Sequence, residues 1–353
     1  MNLIDYGFIP TMLSSLDLPR DFGIPARVTA VHKERYELVC EYGQTFGRLK
    51  TSVYFTDGSE SFPTTGDFVM INFISSGDSQ ILKTLPRKSF FSRRDPMPGR
   101  GEQAVAANFD TVFIMQSLNF DFNIKRMERY ITLAWQSGAV PVIILTKADL
   151  VRDYSEQMRA VEKVASGIGV YAVSAVDGTG LDALSDYLKP GKTVVFLGSS
   201  GVGKSSLVNA LAGKDIMTVN EIREDDGKGR HTTTHRQLIR LDSGVMVIDT
   251  PGMRELGMWD VSRGLGEAFD DVEQYFGKCK FADCKHQSEP GCAVKAAIAS
   301  GELPIERWNS YINLKREAKY SDDKTEYLRG KQQKHKEIAK WNKQRKKNGG
   351  IRK

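Results

Sequence analysis

The string Gly198-Ser199-Ser200-Gly201-Val202-Gly203-Lys204-Ser205 lies between an apolar run, TVVFLG, and a stretch with helical spacing, KSSLVNALAG. A glycine-rich loop joining a strand to a helix lets backbone N–H groups wrap phosphates while the helix N-terminus faces their charge. Loops of this kind sit beyond the carboxyl end of a strand in an open parallel sheet. The flanking sequence supplies such a sheet. FDTVFIMQ reads as a strand, NIKRMERYITLAWQSG as a helix stopped by Gly138, and VPVIILT as a strand. A helix near 154–166, the strand VYAVSA, a helix near 180–188, and the strands HRQLIRL and VMVIDT complete the alternation. Near-continuous apolar strands alternating with helices predict a parallel-rich sheet covered on both faces.

Each remaining motif stands at the end of one of these strands. Lys204 is placed to reach β and γ phosphate oxygens, with the Ser205 hydroxyl on Mg²⁺ and Ser206 next in the cradle. Asp249-Thr250-Pro251-Gly252 closes VMVID, so Asp249 can hold Mg²⁺ through water and the Gly252 N–H can meet a γ-phosphate. Thr146-Lys147-Ala148-Asp149 closes VPVIIL. A carboxylate there accepts two hydrogen bonds from guanine N1–H and its exocyclic amine, which adenine cannot offer; Asp149 therefore favours GTP over ATP. The Lys147 stem packs along loop and base, and Ser174-Ala175 adds backbone contacts to the guanine carbonyl. The loop Gly227–Thr234 brings His231 and the hydroxyls of Thr232, Thr233 and Thr234, one of which completes the Mg²⁺ shell; Thr234 is our choice. Met253 follows the DTPG string where a water-orienting glutamine is frequent, and a thioether cannot do that work. His231, as neutral imidazole, can accept a hydrogen bond from the attacking water.

The order of these motifs is unusual. In common GTPases the base reader and its SA partner follow the phosphate loop; here they precede it. A sheet keeps its neighbours when the chain is cut and rejoined at exposed loops, so the site itself can be preserved. The covalent consequence is that the segment after Gly252 leads straight out of the nucleotide domain.

Ahead of this domain, IPARVTAV, RYELVCE, FGRLKTSVYF, DFVMINFI and SQILKTL read as five short strands and predict an OB-type barrel, with an SH3-like barrel as the competing topology. Residues 1–20 read as a loosely ordered lead, and KSFFSRRDPMPGRGEQ as a linker. The chain of 353 residues, 40% hydrophobic, thus divides into lead (1–20), barrel (21–90), permuted α/β domain (91–262), α-rich Cys/His domain (263–320) and tail (321–353). Residues 315–353 hold 15 Lys/Arg against 5 Asp/Glu, a charge excess suited to a polyanionic partner. The opening MNLIDYGFIPTML has no leader pattern and no apolar run suffices for a bilayer, so the expectation is a cytoplasmic protein with no membrane partner.

Cys40 sits in a strand and reads as a small buried apolar residue. Cys279, Cys284, His286 and Cys292 form C-x4-C-x-H-x5-C, a full tetrahedral set for structural zinc with no position left for substrate; reduced, unligated thiols are the alternative.

Taken together, the barrel, the permuted TKAD, GSSGVGKS, GRHTTTH and DTPG strings and the Cys/His cluster resemble the circularly permuted ribosome-biogenesis GTPase family RsgA (YjeQ/YloQ) of bacteria. The resemblance implies GTP/GDP with Mg²⁺, one structural Zn²⁺, and a factor acting late in assembly of the small (30S) ribosomal subunit, whose rRNA it contacts and which stimulates its GTP hydrolysis. The protein is expected to be a monomer when free. A second reading is an RNA-binding module that senses GTP with incidental turnover. Thr146 departs from the asparagine many GTPases carry, and its hydroxyl cannot reproduce both amide contacts.

Overall fold

The computed structural model describes residues 2–319 except 15, 17, 18, 20, 21, 34, 57–60, 95–101, 120, 121, 218–235 and 250–261, and the statements below concern the described residues. His231, Thr232–Thr234, Gly252 and the tail beyond 320 lie outside them. The chain forms two compact units: Met1–Phe91, Ala104–Glu255 and Arg263–Asp270 in one; Ser92–Gln103, Leu256–Ser262 and Asp271–Lys353 in the other.

After a short turn of helix α1 (Thr11–Ser14), five strands close a barrel: β1 (Ile24–Val31), β2 (Tyr36–Cys40), β3 (Gly43–Leu49), β4 (Phe68–Asn72) and β5 (Ser79–Thr84). Antiparallel pairings β1–β2, β2–β3, β4–β5 and β1–β4 are joined by a parallel β3–β5 pairing, in which Gly47, Arg48 and Leu49 face Ser79, Gln80 and Ile81. This closure is that of an OB barrel rather than an SH3-like one. Its core holds Ala26, Val28, Leu38, Cys40, Val69, Ile71 and Ile81, the alternate residues of strands whose other face is more polar. Cys40 is fully buried, as expected, and desolvation raises its thiol pKa.

In and around the barrel, three expectations differ from the structure. FGRLKTSVYF is not one strand: β3 ends at Leu49, and a turn at Ser52–Thr56 brings Tyr54 into the core, its hydroxyl 3.0 Å from that of Thr84. The apparent linker contains β6 (Phe90–Arg94) and β7 (Glu102–Ala107), which pair as a two-stranded sheet. Phe91 at its start is buried and stacked on Phe109, centroids 4.8 Å apart. The lead is not loose either, since Leu3, Tyr6 and Phe8 are buried.

The α/β domain comprises β8 (Thr111–Ser117), α2 (Ile124–Ser137), β9 (Val140–Thr146), α3 (Ser155–Glu162), β10 (Gly169–Ala172), β11 (Thr193–Gly198), α4 (Lys204–Ala212), β12 (Gln237–Arg240), β13 (Met246–Asp249) and α5 (Ser262–Ala268). Strands β10, β9, β8, β11 and β13 run parallel in that spatial order, with β12 antiparallel at the side of β13. Every residue of β8 and β11 is buried, as strands covered on both faces require. Asn123 caps α2 by accepting from the Arg126 N–H at 3.0 Å, and Gly138 ends it at φ 86°. The helix expected near 180–188 is a single 3-10 turn, Asp182–Leu184, squeezed between Gly180 and the Pro190-Gly191 pair.

One ladder crosses from barrel to α/β domain. Ala30 of β1 pairs with Gln237 of β12, so eleven strands form a continuous sheet. At this junction Arg27, 1% exposed, donates to the carbonyls of Tyr6, Gly66 (3.3 Å) and Asn108 (3.0 Å) and to the Thr193 hydroxyl (3.0 Å). Burial lowers its guanidinium pKa to about 10. Nearby, burial alone would raise the Asp110 carboxyl, but Lys88, Lys192 and the Thr193 N–H outweigh it and hold the group below the usual range. Its contribution to stability is therefore present above the ordinary carboxylate pKa and lost as pH falls through the depressed value.

The second unit holds α6 (Asp270–Glu273) in large part, α7 (Ala293–Ser300) and a helix over 305–319. Arg307, 6% exposed, clamps Asp271 with two bonds of 2.9 Å, and the Tyr311 hydroxyl donates to Glu273 at 2.9 Å.

Candidate functional site

Parallel register sets the nucleotide site. Gly198 pairs with Met115, Ser117 with Thr146, and Ala172 with Leu145, so the ends of β11, β8, β9 and β10 share one edge of the sheet. From that edge emerge the 198–205 loop, the 146–149 loop and Ser174-Ala175. Asp249 ends the next strand, β13, beside β11. Cutting and rejoining the chain has left these neighbours together.

The phosphate loop turns on Gly201 (φ 75°) and Gly203 (φ 101°), backbone conformations that a Cβ disfavours. Lys204 begins α4 and its Nζ donates to the carbonyls of Gly198 (3.1 Å) and Ser199 (3.3 Å), folded over the loop it would share with phosphate. Ser205 and Ser206 follow in the first turn, half-buried. Val202 and Leu207 anchor the loop and helix in the core below.

Thr146 shows a use that its sequence did not reveal. Its buried hydroxyl donates to the Val202 carbonyl at 2.6 Å, tying the base-reading loop to the phosphate loop. The group thus serves the frame of the site. Lys147 adopts φ 62°, uncommon for a side chain of its kind, and the Ala148 N–H donates to the Val173 carbonyl at 3.1 Å; together these present Asp149, which is exposed. Ser174 is fully buried and its Oγ accepts from the N–H groups of Val176 and Asp177, so its side chain shapes the turn and leaves only backbone for a ligand. Gln116, overlooked in the sequence, exchanges two 2.8 Å hydrogen bonds with the Asn123 backbone and fixes the exit of β8. A lone glutamine at a strand end carries no signal that could have found it.

The four zinc candidates converge. Their ligand atoms lie within 4.8 Å of one another, and His286 Nδ1 is 3.5, 3.7 and 3.5 Å from the sulfurs of Cys279, Cys284 and Cys292. Tetrahedral bonds of about 2.3 Å to sulfur and about 2.05 Å to nitrogen put ligand atoms about 3.6 Å apart, so the set fits zinc. The Ala293 N–H, 3.4 Å from Cys279 Sγ, leads the causes that lower that thiol's pKa, whereas desolvation pushes Cys284 up to about 11. Desolvation also lowers the His286 pKa, which favours the neutral ring a metal needs.

The comparisons agree with this geometry. The family model described as RsgA GTPase matches residues 84–259. A Listeria monocytogenes protein, "Small ribosomal subunit biogenesis GTPase RsgA 1", is 49% identical over 294 residues, 83% of each chain. A Lactiplantibacillus plantarum protein, "Small ribosomal subunit biogenesis GTPase RsgA 2", is 44% identical over 322 residues, 91% of this chain and 90% of that one. Among solved structures, YjeQ from Thermotoga maritima is similar with a TM-score of 0.62 and 27% identity, over 82% of this chain and 96% of that one. YloQ, a circularly permuted GTPase, shares the fold with a TM-score of 0.59 at 24% identity, over 86% and 98%.

Proposed function

We infer the working of this site from one premise: the chain belongs to the RsgA GTPase family. It is a GTP-hydrolysing enzyme of small ribosomal subunit biogenesis. Asp149 selects guanine, the 198–205 loop with Lys204, Ser205 and Ser206 binds the phosphates, and Ser174-Ala175 backs the base. Ser205, Asp249 and one of Thr232–Thr234 would hold Mg²⁺, which when bound neutralises charge developing on the phosphate oxygens. A water oxygen forms the new bond to the γ-phosphorus as the β–γ bridge breaks, giving GDP and phosphate. His231 accepts a hydrogen bond from that water, and Gly252 contacts the γ-phosphate. The observation that carries this reading is the Thr146–Val202 bond, which fastens base reader and phosphate loop at one sheet edge.

The finer setting is also our proposal: a cytoplasmic monomer that docks on the small subunit through rRNA, acts late in its maturation, and turns over fastest when docked. Comparing GTP turnover with and without purified small subunits tests it; equal rates would overturn the docking-stimulated reading. In that assay His231→Ala should keep GTP and subunit binding yet lose at least about tenfold of the stimulated rate. Unchanged stimulation would remove His231 and leave a group supplied by the subunit.

Removal of residues 330–353 should weaken subunit binding and flatten its salt dependence, because fewer counterions leave the RNA, while turnover of the free protein stays the same. An unaltered salt slope would show the tail to be a solvated charged segment. One structural Zn²⁺ is held by Cys279, Cys284, His286 and Cys292. Stripping it with a chelator should unfold mainly residues 271–319, seen as lost amide protection there with GTP binding retained. Protein isolated without chelator and free of zinc would count against the site.

A further inference from the structure

In the second unit the zinc-ligand His286 belongs to a group of aromatic rings. Phe276 lies flat on His286, centroids 4.7 Å apart and planes within 14°, and Trp308 stacks on Tyr311 at 5.8 Å and 20°. The two stacks meet edge to face. Beside them opens a cavity of about 450 Å³, within the range of small-ligand pockets, lined also by Phe281, Lys285 and Lys315.

A small metal-stapled domain needs an aromatic core, and Tyr311, 2% exposed, serves that purpose. Cys279, Cys284 and His286 in the lining serve the metal and Phe276 covers His286, whereas Phe281, Lys285 and Lys315 serve neither metal nor core. Phe281 is 43% exposed at the rim, with the Lys280 ammonium 5.7 Å from its ring centroid. Lys315 reaches over the rings of Tyr311 (5.2 Å) and Phe276 (5.8 Å), and among the described residues no carboxylate lines the space. Aromatic cages for cationic ligands use the same ring faces, but two lysines repel such a guest. A flat, uncharged ring attached to phosphate suits both the faces and the ammonium groups. Within a duplex the base faces are already stacked, so the guest must be unpaired.

We propose that this cavity binds one unstacked base of single-stranded RNA, with Lys285 and Lys315 meeting the adjoining phosphates. The proposal deepens the rRNA reading above and rests on it. The test uses the full-length, zinc-loaded protein and a hexanucleotide carrying 4-thiouridine, photo-crosslinked and mapped by mass spectrometry, with a duplex of the same sequence beside it. Crosslinks are expected at Trp308 or Tyr311 from the single strand and not from the duplex. Phe281→Ala and, separately, Lys285→Ala should each reduce them about fivefold or more, while Phe281→Trp restores them. Lys295→Ala, on α7 and outside the lining, should leave them unchanged, as should crosslinks formed elsewhere on the chain. Undiminished crosslinking in both Phe281→Ala and Lys285→Ala, or equal labelling by the duplex, would overturn the pocket. Small-subunit stimulation of GTP turnover in the same proteins separates the two ideas. Normal stimulation together with unaltered crosslinks removes the pocket alone; no stimulation of even the unsubstituted protein removes the ribosomal docking reading.

Discussion

Arg27→Leu is expected to lower the free energy of unfolding by about 3–5 kcal/mol, which approaches the whole stability of a marginal domain. The guanidinium is fully desolvated and supplies donors to Tyr6, Gly66, Asn108 and Thr193 at once. Leucine fills much of the space but leaves three carbonyl oxygens without that donor, each costing about 1–3 kcal/mol when buried. Arg27→Lys should recover only part of the loss, because an ammonium cannot reproduce a planar fork of five donors. Equilibrium denaturation measures it, followed by GTP affinity at a temperature where the variant stays folded. A loss below about 1 kcal/mol for Arg27→Leu would mean that water replaces the guanidinium at the junction.

Asp149→Asn should lower GTP affinity by about two to four orders of magnitude, since two charge-assisted hydrogen bonds at about 1.5–3 kcal/mol each are at stake. Asparagine offers a donor where the carboxylate accepted, and xanthine presents a carbonyl in place of the guanine amine. Xanthosine triphosphate should therefore bind the variant better than GTP does, and restore turnover at high concentration. Because Asp149 is exposed on a short 3-10 turn, the exchange should leave stability within about 0.5 kcal/mol. Equal affinities of the unsubstituted protein for ATP and GTP would falsify this base-reading role.

Local strings with a strong backbone requirement were legible in the sequence. The glycines of the phosphate loop, the four Cys/His residues and the Gly138 stop each work through their near neighbours: the structure gives Gly201 and Gly203 positive φ, brings the four ligand atoms together and ends α2 at Gly138. What escaped depends on residues far apart. Nothing in FGRLKTSVYF tells that β3 stops at Leu49, because Tyr54 leaves the strand to reach Thr84 thirty residues on. OB and SH3-like barrels differ in the β3–β5 pairing, a register no local pattern encodes. The Pro/Gly-rich stretch at 95–101 suggested a linker although paired strands flank it. Thr146 looked like a weakened base reader because the residue it serves, Val202, lies 56 positions later.

The buried position of Arg27 also bears on how the chain is made. Its partners leave the ribosome in turn: Tyr6 earlier, Gly66 and Asn108 later, Thr193 later still, and Met246, whose sulfur is 3.1 Å from the guanidinium, 219 residues afterwards. At about 5–20 residues per second, that interval lasts roughly 10–45 s. Throughout it the nascent barrel carries a strand whose cation has no complete shell and whose edge at Ala30 awaits Gln237. The barrel therefore reaches its final form only when β12 and β13 have been synthesised. A messenger truncated before codon 237 should yield a barrel more open to protease than one truncated after codon 250.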